Sequence, residues 1–189
     1  MLQNLATRRS VRPTMFQEPG PSEDQLHKIL TVAARSPDHK KLNPWRFIVF
    51  EGEGRERVGE VFAQIFQEED TETPSEIRLA TERERFMRAP VVVALIASFV
   101  DKPAVPQWEQ TLSTGAVGMN LCHAANALGY ATCWLTEWMA YSPGVGSALG
   151  LSSSERVAGF IYIGTPTERQ DDRPRPNIDD LVTRYAVKS

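Results

Sequence analysis

The chain lacks the signatures of several common protein classes. Its 189 residues include two cysteines, Cys122 and Cys133, and neither has a CxxC or Cys/His spacing. Isolated cysteines in apolar stretches are typical of reduced, buried thiols, so we expect a cytoplasmic protein. The first twelve residues have no apolar core between their charges and do not resemble a signal peptide. The longest apolar run, Val91 to Val100, is too short to span a membrane.

Motifs of several catalytic and nucleotide sites are also missing. No GxGxxG follows a predicted strand and no GxxxxGK[ST] occurs, which argues against Rossmann and P-loop sites. Three histidines without HExxH or paired spacing predict no metal centre, and the lack of GxSxG argues against a serine hydrolase. The net charge of −3 argues against a nucleic-acid surface, so we expect a small-molecule or protein partner.

The composition, with 41% hydrophobic and 24% charged residues, is that of one globular domain over residues 1–189. Helical and strand patterns alternate along it and predict an α+β fold with a small sheet. We expect helices near 2–8, 22–36, 55–66, 107–128 and 142–150, and strands near 45–51, 90–99, 130–135 and 157–163. A turn is expected at Gly164 to Pro166, and residues 67–89 are expected to be helical at both ends with a mobile, solvated polar middle.

Two segments suggest contacts beyond the domain core. The helix from Gln107 to Leu128 is apolar on most sides, and Gly115, Ala116 and Gly118 leave one side smooth enough for close helix packing, in the core or in a dimer. Residues 167–189 form a C-terminal arm with an apolar set that needs a surface in a partner subunit or in its own domain. That set is Ile178, Leu181, Val182, Tyr185 and Val187.

Two basic clusters are candidates for a binding site. Arg8, Arg9 and Ser10 follow the first helix and suit a phosphate monoester, although surface charge is the simpler interpretation of such a triplet. The second cluster lies in the loop from Ala33 to Trp45, which two prolines hold at its entry and exit. It comprises Arg35, His39, Lys40 and Lys41. Trp134 and Trp138 could form flat walls of a pocket or simply belong to the core.

These motifs, in this order, resemble the FMN-dependent nitroreductase family, and in particular its minimal-length branch. The resemblance covers nearly the whole chain. It rests on Arg8 to Arg12, Ala33 to Pro37, Asn43 to Phe47, the helix from Gly115 to Leu121, and Gly164 to Pro166, together with the PDHK and WEQ sequences.

The resemblance implies an intertwined homodimer with two FMN sites at its interface. NADH or NADPH would donate a hydride to the flavin, and a nitroaromatic, quinone or similar small acceptor would then take it up. The flavin itself would carry the chemistry, without a catalytic side chain. Carried over by motif, Arg8, Arg9 and Ser10 bind FMN, as do Arg35 and His39 from the other subunit. Cys133, Trp134 and Leu135 would lie along the cofactor, and Gly164 near its phosphate.

Further positions follow from the same resemblance. Lys41 and Asn43 stand where the wider family carries Asn and Gln, toward the flavin N5 edge, and Asn126 to Tyr130, with Gly129, would meet the nicotinamide. His39 could instead cap its own loop. Leu135 stands where branch relatives carry Arg, and with the loop lysines it favours an alternative, an FMN-binding or interaction dimer without efficient turnover. Flavin-dependent dehalogenation or flavin destruction would need a lid, for which only residues 55–88 offer material.

Overall fold

The computed structural model describes residues 2–185 and has a five-stranded antiparallel sheet at its centre. The strand β5 pairs with β1, β3 and β4, and β3 also pairs with β2. The bounds are β1 (Phe16–Gln17), β2 (Trp45–Glu51), β3 (Val91–Ser98), β4 (Ala131–Leu135) and β5 (Glu155–Pro166). The predicted α+β class with a small antiparallel sheet flanked by helices is therefore confirmed.

Within residues 2–185, six α-helices pack around the sheet, and their positions agree with the apolar periodicity. They are α1 (Leu2–Thr7), α2 (Glu23–Ala33), α3 (Glu53–Glu69), α4 (Glu76–Arg83), α5 (Gln107–Ala127) and α6 (Pro143–Ala148). The capping box predicted from Ser22 and Gln25 is present at the start of α2. In residues 2–185 no helix combines the length and apolar character needed to cross a membrane.

Two cores lie on opposite faces of the sheet, because side chains alternate along each strand. On one face, Val93 and Leu95 of β3 pack with α2 and with Leu121 of α5. On the other face, Ala94 and Ile96 pack with aromatic residues of α3, β5 and the segment after α4. The strand β3 is thus buried on both faces, as its continuous apolar run predicted.

The turn predicted at Gly164 to Pro166 is wrong. These residues continue β5, since Gly164 pairs with Ala131 and Pro166 pairs with Phe16. The last two residues of β5, Thr165 and Pro166, pair with the two-residue strand β1. This strand is too short to be recognised from the sequence pattern. A Cβ atom on residue 164 would lie 2.6 Å from Cδ of Pro90, so close packing rather than a turn requires this glycine.

The interpretation of residues 67–89 as a solvated charge run is also wrong in part. Helix α4 forms, and Glu82 and Arg85 are buried at 1% and 6% exposure. The two side chains pair with each other, so burial of each charge is compensated by the other. Phe62, Leu79 and Phe86 are buried as well, so the helices of the 55–88 region belong to the subunit core rather than to a separate lid.

Candidate functional site

The segment after α1 is attached to the end strand of the sheet. Helix α1 ends at Thr7, with the N–H of Arg8 donating to the carbonyl of Asn4 at 2.8 Å. Three residues later, the N–H of Val11 donates to the carbonyl of Thr132 in β4 at 3.0 Å. Arg8 and Arg9 are half-buried and Ser10 is exposed beside β4.

A cleft of about 230 Å³ brings four of the predicted site residues together. Arg8 and Arg9 line one side, and Asn126 and Gly129 line the side formed by the end of α5. Gly129 has φ +94°, a left-handed conformation that favours glycine, and it lets the chain turn from α5 into β4. Ala131 also lines this cleft and pairs with Gly164 in the sheet. Gly164, a fifth predicted site residue, therefore lies next to the cleft.

The first part of the C-terminal arm returns to the same cleft. The guanidinium of Arg9 donates to the carbonyl of Asp171, and Nη2 of Arg175 donates to the carbonyl of Arg8 at 3.4 Å. Arg169 also lines the cleft. These tail arginines were not among the residues predicted from the sequence. The run DDRPRPN, which follows the last strand and alternates arginine with proline, was the signal that could have indicated them.

Cys133 in the middle of β4 is buried. Burial raises the pKa of its thiol to about 11, and the charge of Arg173 acts in the opposite direction. Cys122 and Cys133 are both free and buried, as expected. The cleft itself is lined by Arg8, Arg9 and Arg169, which come from both ends of the chain, together with Glu168.

Two polar atoms near Arg8 have no hydrogen-bond partner among the described residues. These buried atoms are Nδ1 of His123 and Oδ1 of Asn126. Burial lowers the pKa of His123, and the positive charge of Arg8 lowers it further, so the imidazole is neutral near pH 7. Unpaired buried polar atoms are unusual in folded proteins. The unpaired oxygen of Asn126 therefore marks this cleft residue as a candidate for ligand binding.

The side chains of Cys133 to Leu135 pack toward the two cores. Cys133 is buried and Leu135 is half-buried in the aromatic core, and Trp134 is half-buried on the opposite face. The indole N–H of Trp134 donates to the carbonyl of Ala158 at 3.1 Å. A molecule placed along this strand end would therefore meet backbone atoms together with the exposed parts of Trp134 and Leu135.

The loop between α2 and β2 is fixed to the first half of α5. Nδ1 of His39 lies 2.7 Å from a carboxylate oxygen of Glu109, and Ser113 donates to the carbonyl of Pro37 at 2.7 Å. Arg35, Lys40, Lys41 and Asn43 are exposed in this loop. Lys40, Lys41 and Asn43 have positive φ angles, held in part by Asp38, whose carboxylate accepts from the N–H of Asn43 at 2.6 Å.

The tip of the basic loop is far from the cleft within one chain. His39 contacts Glu109 near the start of α5, whereas the cleft includes Asn126 near its end. At 1.5 Å rise per residue these points are roughly 25 Å apart. Arg35 is attached further along α5, because the hydroxyl of the following residue, Ser36, accepts from the amide of Asn120 at 3.0 Å. A single chain therefore does not bring His39 to the same ligand as Arg8 and Arg9.

Large apolar side chains remain exposed on two surfaces. On α5, Trp108 is 68% exposed and Leu112 is 54% exposed, and nothing lies within 4 Å of a Cβ built on Gly115. On the C-terminal arm the exposed apolar residues are Ile178, Leu181, Val182 and Tyr185. Val187, the last of the predicted apolar set, lies outside the described residues.

The fold and cleft define an α+β domain with a cationic site at the end of its central helix. Comparison with known proteins gives the family. The model of the nitroreductase family matches residues 5–165, and the chain belongs to this family. The resemblance drawn from the sequence motifs is confirmed.

Individual relatives agree with this assignment. The chain is 37% identical over 167 residues to YdjA of Escherichia coli strain K12, named as an NAD(P)H nitroreductase, covering 87% of each chain. The structure of a nitroreductase-like family protein from Bacillus cereus superimposes with a TM-score of 0.83 at 22% identity, covering 97% of this chain and 95% of that one. The FMN- and NADPH-dependent nitroreductase NfnB of Sphingopyxis sp. strain HMH gives 0.76 at 21% identity, covering 98% and 99%.

Proposed function

We propose that this protein is an FMN-dependent oxidoreductase that passes a hydride from NADH or NADPH to a small acceptor such as a nitroaromatic or a quinone. The observation that carries the proposal is the arginine-lined cleft where Arg8 and Arg9 meet Asn126 and Gly129 in a chain of the nitroreductase family. The names of YdjA and NfnB, which refer to NAD(P)H and to FMN with NADPH, support the choice of cofactors.

The cleft residues fit the phosphate and ribityl end of FMN. Arginine is always protonated and presents a planar set of donors that matches phosphate oxygens. Arg8 and Arg9, with Arg169 from the tail, supply this charge and outnumber the carboxylate of Glu168 in the cleft, and the exposed hydroxyl of Ser10 is free to donate to the ribityl chain. The unused acceptor of Asn126 suits a ligand N–H or O–H, including the nicotinamide amide.

The end of β4 would lie along the flavin ring. Because Cys133 is buried and the side chains of Trp134 and Leu135 pack partly into the two cores, their backbone is proposed to make this contact, and Leu135 in place of an arginine does not prevent it. Gly164 is proposed to help at the start of β4, where it pairs with Ala131 and lets β5 lie close to Pro90 and Phe16. FMN, when bound, supplies hydride acceptance and donation, which side chains lack.

We propose that the active form is an intertwined homodimer with two FMN sites at its interface. Within one chain the contact of His39 with Glu109 lies roughly 25 Å along α5 from the cleft, so His39 reaches a flavin only if it is held by the other subunit, and Arg35 of the same loop would accompany it. Lys41 and Asn43 of the same loop would then lie at that flavin's edge. The exposed stripe of Trp108, Leu112 and Gly115 supplies a helix face for the contact, since uncovered apolar patches mark interfaces.

The C-terminal arm is proposed to cover the partner subunit. Its first part is fixed at the cleft by Arg9 and Arg175, whereas Ile178, Leu181 and Val182 further along are more than half exposed. Burying such side chains stabilises an interface in proportion to the apolar area covered. An arm that lies across the neighbour would bury them and would link the dimer to the phosphate end of the cleft.

Steady-state kinetics test the proposal. Purified protein supplied with FMN is expected to oxidise NADH or NADPH in the presence of a nitroaromatic or quinone. Donor and acceptor that use the same flavin face in turn should give parallel double-reciprocal plots. Retained flavin without oxidation of either nucleotide would instead favour the alternative, an FMN-binding dimer without efficient turnover. Failure to retain flavin would contradict both.

A further inference from the structure

The residue that follows the end of β4 has an unusual backbone. Glu137 lies two residues after Leu135 and has φ +51° and ψ −171°. Glycine adopts such angles readily, but residues with a Cβ atom rarely do, and they remain there only when their surroundings hold them. Strain of this kind tends to lie at functional sites.

The side chain of Glu137 is held by a buried arginine. Its carboxylate forms an ion pair with Arg85, whose side chain is 8% exposed. Arg85 also binds Glu82 with two hydrogen bonds, from Nε at 2.6 Å and from Nη2 at 2.5 Å. One guanidinium therefore links the segment after β4 to the end of α4.

The next residue is attached to the same group. The indole N–H of Trp138 donates to a carboxylate oxygen of Glu82 at 2.9 Å. Glu82 is fully buried and also pairs with Arg78 at 2.9 Å. Burial alone would raise the pKa of Glu82, but hydrogen bonds from Arg85 and Trp138 and the charges of both arginines hold it below its ordinary value, so Glu82 is ionised.

We propose that the ion pair between Glu137 and Arg85, here called the Glu137–Arg85 clamp, positions the backbone from Leu135 to Glu137 against the flavin. The clamp rests on the proposed function. Cys133 is buried and Trp134 and Leu135 pack partly into the two cores, so the cofactor also meets backbone, and the strained residue 137 sets the direction of that backbone. Without the clamp, a residue with a Cβ atom relaxes to an ordinary φ and turns this backbone out of place.

Two substitutions at residue 137 separate the backbone effect from the side chain. Glu137→Ala removes the ion pair and keeps a Cβ atom, so the backbone relaxes. Glu137→Gly also removes the ion pair but tolerates the native angles. The clamp predicts that Glu137→Ala raises the Kd for FMN at least tenfold in titrations of flavin-free protein, whereas Glu137→Gly raises it less than threefold. The visible absorption band of bound FMN should shift in the alanine variant and stay native in the glycine variant.

Controls distinguish the clamp from general loss of structure. Glu60→Ala removes an ion pair with Arg83, 3.2 Å long, on the neighbouring surface and should leave the Kd unchanged. Glu137→Gln keeps a hydrogen-bonding group for Arg85, so its Kd for FMN should lie between those of the wild type and Glu137→Ala. This variant replaces Glu137→Ala in the comparison if the alanine variant does not fold. Equal effects of Glu137→Ala and Glu137→Gly, or none from either, would overturn the clamp alone. A wild-type protein that does not bind FMN would overturn the proposed function and the clamp together.

Discussion

The backbone N–H of Val11 donates to the carbonyl of Thr132 at 3.0 Å. This hydrogen bond joins the arginine segment at the start of the chain to the strand whose far end is proposed to lie along the flavin. The two arginines proposed to bind the phosphate and the strand proposed to face the flavin ring are thereby fixed relative to each other within one chain.

Arg9→Ala should weaken FMN binding. Arg9 lines the cleft and also donates to the carbonyl of Asp171, so its removal takes away charge and loosens the tail at the same site. A charge-assisted hydrogen bond contributes about 1.5–3 kcal/mol, which corresponds to a Kd about 10- to 100-fold higher. Fluorescence titration of flavin-free protein measures this change.

The matched control for Arg9 is Arg57→Ala. Arg57 is 79% exposed and pairs with Glu53 on α3, away from the cleft. Its substitution should leave the Kd unchanged. An Arg9→Ala protein that retains FMN as tightly as the wild type, with unchanged turnover, would remove Arg9 from the proposed site.

Gly115→Glu should separate the subunits. Nothing lies within 4 Å of a Cβ on residue 115, so the isolated subunit accepts the side chain, but a charge in the middle of the α5 stripe prevents close approach of a second helix. Light scattering after gel filtration should give the mass of one chain instead of two. FMN affinity should fall as well, because Arg35 and His39 leave the site.

Gly54→Glu is the control for this substitution. Residue 54 is in the first turn of α3 and also has nothing within 4 Å of a built Cβ. The control should remain a dimer and retain FMN. A Gly115→Glu variant that stays dimeric would place the subunit contact elsewhere on the molecule.

Gly118→Ala should destabilise the subunit. A Cβ on residue 118 would lie 2.6 Å from Cζ3 and 3.0 Å from Cζ2 of Trp134, whose indole is held by the carbonyl of Ala158. Overpacking of this kind costs about 1–3 kcal/mol, measured as a lower urea midpoint. Gly54→Ala, a helical glycine in open space, should be neutral or slightly stabilising. Equal midpoints for the two variants would show that Trp134 moves aside freely.

The pair of Arg46 and Glu155 should give the protein an acid-sensitive part of its stability. Arg46 binds the carboxylate of Glu155 with Nε at 2.5 Å and Nη2 at 3.0 Å. The hydrogen bond from Arg46 lowers the pKa of Glu155 from 4.5 to about 2. A lowered folded-state pKa means that the stabilisation is present above the unfolded value and disappears as the pH falls through the folded one.

Glu155→Gln tests this pH dependence. Loss of hydrogen bonds to a charged group should lower the free energy of unfolding by about 2 kcal/mol at pH 7. The difference in Tm between wild type and variant should stay constant from pH 8 to about 5 and shrink as the pH falls from 4.5 towards 2. A difference of the same size at pH 7 and at pH 3 would exclude the ionised pair as its source.

Local sequence patterns predicted much of this fold. The Ser22 and Gln25 capping box and the helix from Gln107 form from interactions within a few residues, which the sequence displays directly. The strand Trp45–Glu51 pairs with the distant strand β3, but its aromatic and β-branched residues already indicated a strand. The segment from Gly164 to Pro166 was misinterpreted as a turn because its strand partners, Ala131 for Gly164 and Phe16 for Pro166, are distant in the chain. Glu82 and Arg85 are only three residues apart, but their burial was missed because charge runs are ordinarily solvated and burial depends on the tertiary packing around the pair.

The candidate site divides in a similar way. Arg8, Arg9, Asn126 and Gly129 were predicted from motifs and meet at one cleft, whereas His39 contacts the other end of α5 and Arg35 does not line the cleft. Arg173, Arg175 and the Glu137–Arg85 clamp were not predicted. They depend on how the tail and the segment after β4 fold back, which no local pattern encodes.

Anaerobic titration of the FMN-loaded protein tests the central claim most directly. The purified chain is reconstituted with FMN, freed of unbound flavin by gel filtration, and titrated with NADPH or NADH while its visible spectrum is recorded. We predict one FMN per chain, loss of the visible band on addition of nucleotide, and its return when a quinone or nitroaromatic is added. A protein that retains no FMN after gel filtration, or whose flavin band neither nucleotide bleaches, would contradict it.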